Sequence, residues 1–299
     1  MLKKLLALLG IALFLAIIYF AGPDKLVVSL ASANPFLLFA AFAAIVAITV
    51  INGARFHILA RSLGRLSFSN TFAALCLSQL VNQGMTAALG EVSKGALFKK
   101  LHGISFSRTI GIVFVERGQD FILALIIALL FLSSSNIPWL SQVSLLLLPI
   151  IALIAVVLFA PSKWFNRFKR FEAVYRLARG FKQGVRGLSR KVLFLSLVLT
   201  LLSLVFNGLA NQLLLSAMGA PVPLATVLAF TSAALIAGFL SGLPGGLGSR
   251  EVVLVALFSS LGVSAAVVIA ASVLLRGFFA GINLVFYLLF SRKGGQVNL

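Results

Sequence analysis

The sequence EVSKGALF at residues 91–98 returns as EVVLVALF at residues 251–258. Both copies lie in apolar sequence, and both follow a glycine-containing break. A duplicated, glycine-broken membrane helix that carries ionisable residues is typical of transporters built from internal repeats. The similarity continues in the same order, with GIS at 103–105 and GVS at 262–264, and then with Arg117-Gly118 and Arg276-Gly277. The spacing after the first motif differs by one residue between the two copies.

The composition indicates a membrane protein. Of the 299 residues, 61% are hydrophobic and 10% are charged, whereas soluble domains carry roughly 25% charged residues. Several apolar runs reach the about 20 residues that a helix needs to cross a bilayer. We therefore expect an all-α, polytopic membrane protein with about six spanning helices and two glycine-broken re-entrant helical hairpins, arranged as an inverted repeat.

We expect residues 1–299 to form one integral membrane domain, with one repeat at about 71–132 and the other at about 224–290. The first apolar run follows the basic start MLKK and is read as a retained signal anchor, not a cleaved signal peptide. The predicted segments are helices at 5–22, 36–60, 109–132, 143–160, 192–218 and 264–290, broken hairpins at 71–101 and 224–261, and a basic segment at 161–191.

The placement of Lys and Arg predicts the orientation, because basic residues collect on the cytoplasmic side. Lys3 and Lys4 place the N-terminus there, and the C-terminal helix returns there. Arg55, Arg61 and Arg65 are interpreted as the cytoplasmic end of helix 36–60. The two hairpins then enter from opposite faces, which predicts a site near the membrane midplane where they meet.

The segment 161–191 alternates aromatic and basic residues at helical spacing. It is predicted to lie at the cytoplasmic interface as an amphipathic anchor to anionic lipids. The alternative is that it docks an acidic partner or recruits lipid head groups to the site. The net charge of +19 is attributed to this pattern and not to nucleic-acid binding.

Arg276 lies in an otherwise apolar helix with no acid within one turn. An ionised group at membrane depth costs at least about 2.5–3.5 kcal/mol, so its partner must come from elsewhere in the fold or from a ligand. Its repeat mate Arg117 has Glu116 and Asp120 nearby. Two interpretations stay open: a buried ion-pair network that holds the repeats together, or contact with an anionic head group.

Glu91 and Glu251 each start a half-helix, where the helix dipole stabilises an acid. They are read either as stabilising caps or as counter-ions in a translocation path. Lys94 and Arg250 add positive charge, so four acids and four bases could balance. The break at Gly245, Gly246 and Gly248 is expected to free backbone N–H groups for an anion, or to be a plain tight turn.

No metal, cofactor or enzymatic site is expected. Cys76 is the single cysteine, and His57 and His102 are isolated, so no ligand cluster is visible. No nucleophile–base pair is recognisable either.

The motifs LGEV at 89–92, Glu116-Arg117 with Asp120, PGGLGSRE at 244–251, and Arg276 resemble the lysylphosphatidylglycerol synthase transmembrane family. These proteins are also called flippase-like or UPF0104 proteins. The resemblance covers nearly the whole chain. One departure is TAALGE at 86–91, where the family pattern is PGRxGE.

The resemblance implies a membrane lipid translocase for a phosphate-containing or polyprenyl-linked head group, in a prokaryotic plasma membrane; the basic residues place both termini in the cytoplasm. It implies the translocase part without the soluble aminoacyl-transferase domain of some members. Alternatives are a secondary transporter of a small anionic solute, or a non-transporting partner of a lipid-modifying or glycosyltransferase enzyme; a homo-oligomer is a further expectation. The predicted substrate-binding residues are Arg276, Arg117, Glu251, Glu91, Glu116, Asp120, Gly245, Gly246, Gly248 and Arg250.

Overall fold

The computed structural model describes residues 15–16, 19–84, 87–133, 183–241 and 243–293, and these ranges contain helices and no strand. Short 3-10 turns occur at Arg61–Leu63 and Pro244–Gly246. The helices are α1 (Pro23–Ala31), α2 (Pro35–Ala60), α3 (Phe68–Gly84), α4 (Ala87–His102), α5 (Phe106–Ser133), α6 (Arg190–Ala217), α7 (Leu224–Ser241), α8 (Ser249–Ser259) and α9 (Ala265–Lys293).

The protein is an all-α, multi-pass membrane protein. Four helical stretches of the described ranges are long and apolar enough to cross a membrane, namely Pro35–Leu63, Arg190–Ala217, Leu224–Ser241 and Ala265–Ser291. The helices predicted at 36–60, 109–132, 192–218 and 264–290 correspond to α2, α5, α6 and α9. The predicted helix 143–160, most of 5–22 and most of the basic segment 161–191 lie outside the described residues. The six spans and the re-entrant hairpins stay predictions.

Helices α2 and α6 pack against each other in an antiparallel direction. At one end, the N–H of Asn34 donates to the carbonyl of Ala217 at 2.8 Å, which joins the start of α2 to the end of α6. At the other end, Leu59 of α2 packs with Leu188, just before α6. Asn34 also caps α2, because its side-chain oxygen accepts the N–H of Phe36 at 2.9 Å.

The chain packs as two halves, which we define as α2–α5 (the first half) and α6–α9 (the second half). Each half contains one pair of packed hairpin helices, α3 with α4 and α7 with α8. The first hairpin helix of each half packs against the last helix of the other, α3 on α9 and α7 on α5. Each half is therefore longer than the repeat predicted from the sequence. It has one additional helix at its start, α2 in the first half and α6 in the second.

The outside of the bundle is apolar. Phe36, Leu130 and Phe194 are 76%, 63% and 69% exposed, and many other large aliphatic side chains on these helices also face outwards. Large exposed apolar surfaces are rare in soluble monomers. They are the surface that helices present to lipid.

Close packing within each half depends on a glycine of its first helix. A Cβ on Gly53 of α2 would lie 2.1 Å from the ring of Phe72 in α3, and a Cβ on Gly208 of α6 would lie 2.3 Å from Leu228 in α7. Small residues at such contacts allow membrane helices to approach closely. Phe72 is 2% exposed and stacks on Phe68, so its ring has little room to move.

We predict that Gly53→Ala destabilises the protein by about 1–3 kcal/mol, the usual cost of overpacking a filled core. The control is Gly281→Ala in α9, where a Cβ would meet nothing within 4 Å. That change should be neutral or should gain up to about 1 kcal/mol in helix propensity. Thermal unfolding of both purified variants measures the difference, and equal midpoints would contradict the close contact.

Candidate functional site

Glu251 and Arg276 form an ion pair in the second half. Nη2 and Nε of Arg276 lie 2.8 and 3.0 Å from Oε1 of Glu251. The hydroxyl of Ser272 also donates to Oε1 at 2.9 Å, and the N–H of Gly248 donates to Oε2 at 2.8 Å. Glu251 is only 1% exposed, so this carboxylate is fully satisfied inside the protein. The partner that Arg276 lacks along its own helix is therefore Glu251, in α8.

The same pair holds the glycine break in shape. Nη1 and Nη2 of Arg276 lie 3.3 and 3.4 Å from the carbonyl oxygen of Gly245 and donate to it. Gly245, Gly246 and Gly248 have φ of 53°, 66° and 81°, a left-handed region that favours glycine. The expectation that this break frees N–H groups for an anion is wrong at Gly248, because its N–H bonds Glu251.

The first half contains the equivalent pair. Nη2 of Arg117 in α5 lies 2.7 Å from Oε1 of Glu91 in α4. These two residues occupy the positions of Arg276 and Glu251 in the sequence repeat. The repeat register therefore extends to side-chain pairing, with one Glu–Arg pair beside the break of each half.

Further charges surround the pair of the first half. Lys94 is fully buried and bridges two acids, with Nζ 3.0 Å from Glu91 and 2.9 Å from Glu116. Arg117 also contacts Asp120 at 2.9 Å. All the charged residues predicted for the first repeat are thus brought together in one connected cluster.

Arg55 closes this cluster into a ring. Its guanidinium donates to the carboxylate of Asp120 and to the backbone carbonyl of Glu116. The interpretation of Arg55 as an interfacial cation beside Arg61 and Arg65 is wrong, because Arg55 is 1% exposed and lies inside the bundle. The ring contains three cations and three anions and is neutral: Arg55, Lys94, Arg117, Glu91, Glu116 and Asp120.

The second half fills the equivalent positions with apolar side chains. When the two repeats are aligned, Leu254 occupies the position of Lys94, and Leu275 occupies the position of Glu116. Both leucines are 3% exposed. Phe279 likewise stands for Asp120. The extra ion pairs are therefore a property of the first half alone.

The last turn of α3 contacts the glycine break of the second hairpin. The carbonyl oxygen of Asn82, near the end of α3, lies 2.9 Å from where a Cβ on Gly245 would be. The side-chain amide of Asn82 donates to Glu91 at 3.3 Å. Asn82 therefore connects the ion pair of the first half to the glycine break held by Arg276.

Arg250 is the remaining predicted site residue. It is half-buried in the first turn of α8, next to Glu251 in the chain. Its Nε is closed off from solvent and makes no hydrogen bond. Unlike the other cations of the site, it has no ion-pair partner among the described residues.

Two open hollows lie away from these charges. One, of about 660 Å³, is lined by His57, Arg61 and Arg65, and the other, of about 530 Å³, by residues that include Met218 and Leu261. Within the described ranges, no group of three or more His, Cys, Asp and Glu residues could hold a metal ion.

Comparison with known proteins agrees with the motifs. The family model of the lysylphosphatidylglycerol synthase TM region matches residues 7–288. The chain belongs to this family. A UPF0104 membrane protein of Methanothermobacter thermautotrophicus is 27% identical over 279 aligned residues, which cover 85% of this chain and 82% of that relative. Family membership agrees with a multi-pass membrane protein and indicates the membrane region of a lipid-related family.

We predict that Lys94→Leu destabilises the protein by about 3–5 kcal/mol, because the buried carboxylate of Glu116 loses its side-chain partner. Glu116→Leu should be destabilising as well, because Lys94 keeps only Glu91 and the ring gains an unbalanced positive charge. The double variant installs the leucine pair that the second half has at these positions and keeps the ring neutral. Its stability should lie near that of the wild type, because apolar replacement of a buried ion pair is often neutral or stabilising. Thermal unfolding of the two single variants and the double variant measures the coupling. A double variant as unstable as the sum of the singles would contradict the equivalence of the two halves.

Proposed function

We propose that this protein is a flippase-like membrane lipid translocase that handles a phosphate-containing or polyprenyl-linked lipid head group. The observation that carries the proposal is the contact between the last turn of α3 and the glycine break at Gly245, with one Glu–Arg pair on each side of this contact. The pairs occur in two halves that pack reciprocally around an antiparallel helix pair. Broken helices that meet near the middle of a bundle form the binding sites of many transporters. The family takes its description from a synthase that modifies a lipid, and membership of it supports a lipid as the substrate.

Arginine is the side chain best suited to a phosphate, because its planar fork donates two parallel hydrogen bonds. Arg276 is 19% exposed and Arg117 is 25% exposed, whereas Glu251 is 1% exposed. In the proposed mechanism, the outward parts of the guanidinium groups receive the phosphate. Glu251 and Glu91 keep the arginines neutralised when no head group is bound, so the empty protein carries no uncompensated charge at these positions.

The proposed movement is a rocking of one half against the other. The halves would be inverted repeats whose hairpins enter the membrane from opposite sides, with the two breaks near the midplane. In this orientation both termini lie in the cytoplasm of a prokaryotic cell, and the segment 161–191 contacts anionic lipids of the plasma membrane. We further propose that the protein assembles as a homo-oligomer or with a lipid-modifying or glycosyltransferase enzyme.

We predict that Arg276→Gln combined with Glu251→Gln abolishes lipid translocation while the protein stays folded. The double change removes one charge of each sign, so no carboxylate is left buried without a partner, as it would be in Arg276→Gln alone. The matched change in the first half is Arg117→Gln with Glu91→Gln, which also preserves neutrality and should reduce translocation as well. Arg186→Gln changes an exposed arginine and serves as the control.

The measurement is head-group-labelled lipid movement across proteoliposomes, with anionic, aminoacylated and polyprenyl-phosphate lipids as substrates. Unfolding midpoints of the same preparations establish that each variant is intact. If both double variants move lipid at the wild-type rate, the ion pairs are not part of the mechanism. Uptake of a small anion into sealed vesicles, without lipid movement, would instead favour the solute transporter.

A further inference from the structure

One of the two open hollows lies at the connection between α2 and α3, away from the ion pairs of the bundle. Its volume of about 660 Å³ is in the range of small-molecule sites. Its lining contains two arginines, one histidine and two serines but no acid. We call it the basic hollow, and its polar residues are His57, Arg61, Ser62, Arg65 and Ser67.

The turn that forms the basic hollow is held by the core on both sides. Leu63 packs against the buried cluster that contains Leu188. Leu66 packs against the buried cluster that contains Phe98. These two leucines flank Arg65 and the glycine before it. The shape of the hollow is therefore set before any ligand binds, and such preorganisation lowers the cost of binding.

The arginines of the basic hollow are unpaired among the described residues. Arg61 and Arg65 are exposed, and neither forms an ion pair within the described ranges. The acids of those ranges are used elsewhere, in the ion pairs of the bundle or in α1: Glu91, Glu116, Asp120, Glu251 and Asp24. The only other acid, Glu172, lies outside the described residues. Because two like charges in one hollow repel each other, the arrangement favours an anion that binds between them.

The second half shows that the fold does not need these charges. The other hollow, of about 530 Å³, lies at the equivalent connection, between α6 and α7, and none of its lining residues is charged. When the halves are aligned on Gly53 and Gly208, the positions of Arg61 and Arg65 hold uncharged residues. The same connection is thus built without arginines in one half, so packing alone does not explain them in the other.

His57 adds a proton acceptor to the basic hollow. Its Nδ1 lies 2.9 Å from Oγ1 of Thr71, and the hydroxyl of Thr71 donates to the carbonyl of Phe68 at 2.9 Å. Since the hydroxyl proton is used there, Nδ1–H donates to Thr71, and Nε2 is the acceptor of the neutral ring. Nε2 has no hydrogen bond to a described residue, so it is available to a ligand hydroxyl.

We propose that the basic hollow binds a phosphomonoester, the terminal phosphate of a lipid or of a soluble metabolite. This site is separate from the Glu–Arg pairs and does not rest on the proposed function. A phosphomonoester carries a charge of about −1.5 to −2 near neutral pH, which the two arginines neutralise, and their planar forks suit its oxygens. Its partly protonated form also presents a hydroxyl to Nε2 of His57. A phosphodiester offers one charge and no hydroxyl, so it should bind more weakly.

Binding is measured by calorimetric titration of purified protein in an uncharged maltoside detergent at low ionic strength. The probes are dioctanoyl phosphatidic acid, glycerol 3-phosphate, the phosphodiester glycerophosphoglycerol, and sulfate. We expect the two monoesters to bind tighter than the diester and sulfate. Arg61→Gln and Arg65→Gln should each weaken monoester binding roughly 10-fold, the range for one lost charge-assisted partner. The control Arg186→Gln changes an exposed arginine outside the hollow and should leave the affinity unchanged.

Comparison of the probes identifies the source of the phosphate. Tighter binding of phosphatidic acid assigns the site to a lipid, and equal or tighter binding of glycerol 3-phosphate assigns it to a soluble monoester. A diester or sulfate that binds as tightly as the monoesters would overturn the assignment. Monoester affinity that is unchanged in the variant with both arginines replaced would overturn it as well.

Two further measurements separate this site from other roles of the arginines. Arg61 and Arg65 form no ion pair in the described ranges, so unfolding midpoints without ligand should stay at the wild-type value. A lower midpoint would assign both arginines to the stability of the turn and overturn the site. Arg276→Gln with Glu251→Gln should leave monoester affinity unchanged. Loss of binding in that variant would move the anion to the glycine break and would also contradict the proposal.

Discussion

The Glu–Arg ion pair beside each helix break is the interaction on which the rest of the site depends. Glu251 accepts hydrogen bonds from Arg276, Ser272 and the cap of α8, and Arg276 in turn holds the carbonyl of Gly245. A broken helix within an apolar bundle needs partners for its backbone groups. The pair of the second half supplies such partners and cancels its own charge, which allows the last turn of α3 to lie against the glycine break at Asn82 and Gly245.

Much of this arrangement could be predicted from the sequence, because duplication makes distant residues comparable. The repeat register placed Glu91 with Glu251 and Arg117 with Arg276, and an ion-pair network was one of the two interpretations that the sequence left open. Arg55 could not be found in this way. It precedes Asp120 by 65 residues, and its place near the end of an apolar helix looks like that of an interfacial cation. Only the packing of α2 against α5 shows that it is buried.

The two copies show two solutions to one packing problem. Lys94 and Glu116 in the first half occupy the positions of Leu254 and Leu275 in the second. A buried ion pair and a pair of leucines fill similar space, but the ion pair imposes directional contacts, whereas the leucines require only volume. The first half is therefore fixed by a charge ring, while the second has one cation, Arg250, without an ion-pair partner among the residues that the structure describes.

The antiparallel contact between Asn34 and Ala217 has a consequence for direction. In the proposed inverted arrangement, equivalent helices face opposite ends of the bundle, so their packing alone sets no direction of movement. Among the described residues, the two halves differ in charge at the ring around Lys94 and at Arg250. These differences distinguish one side of the bundle from the other.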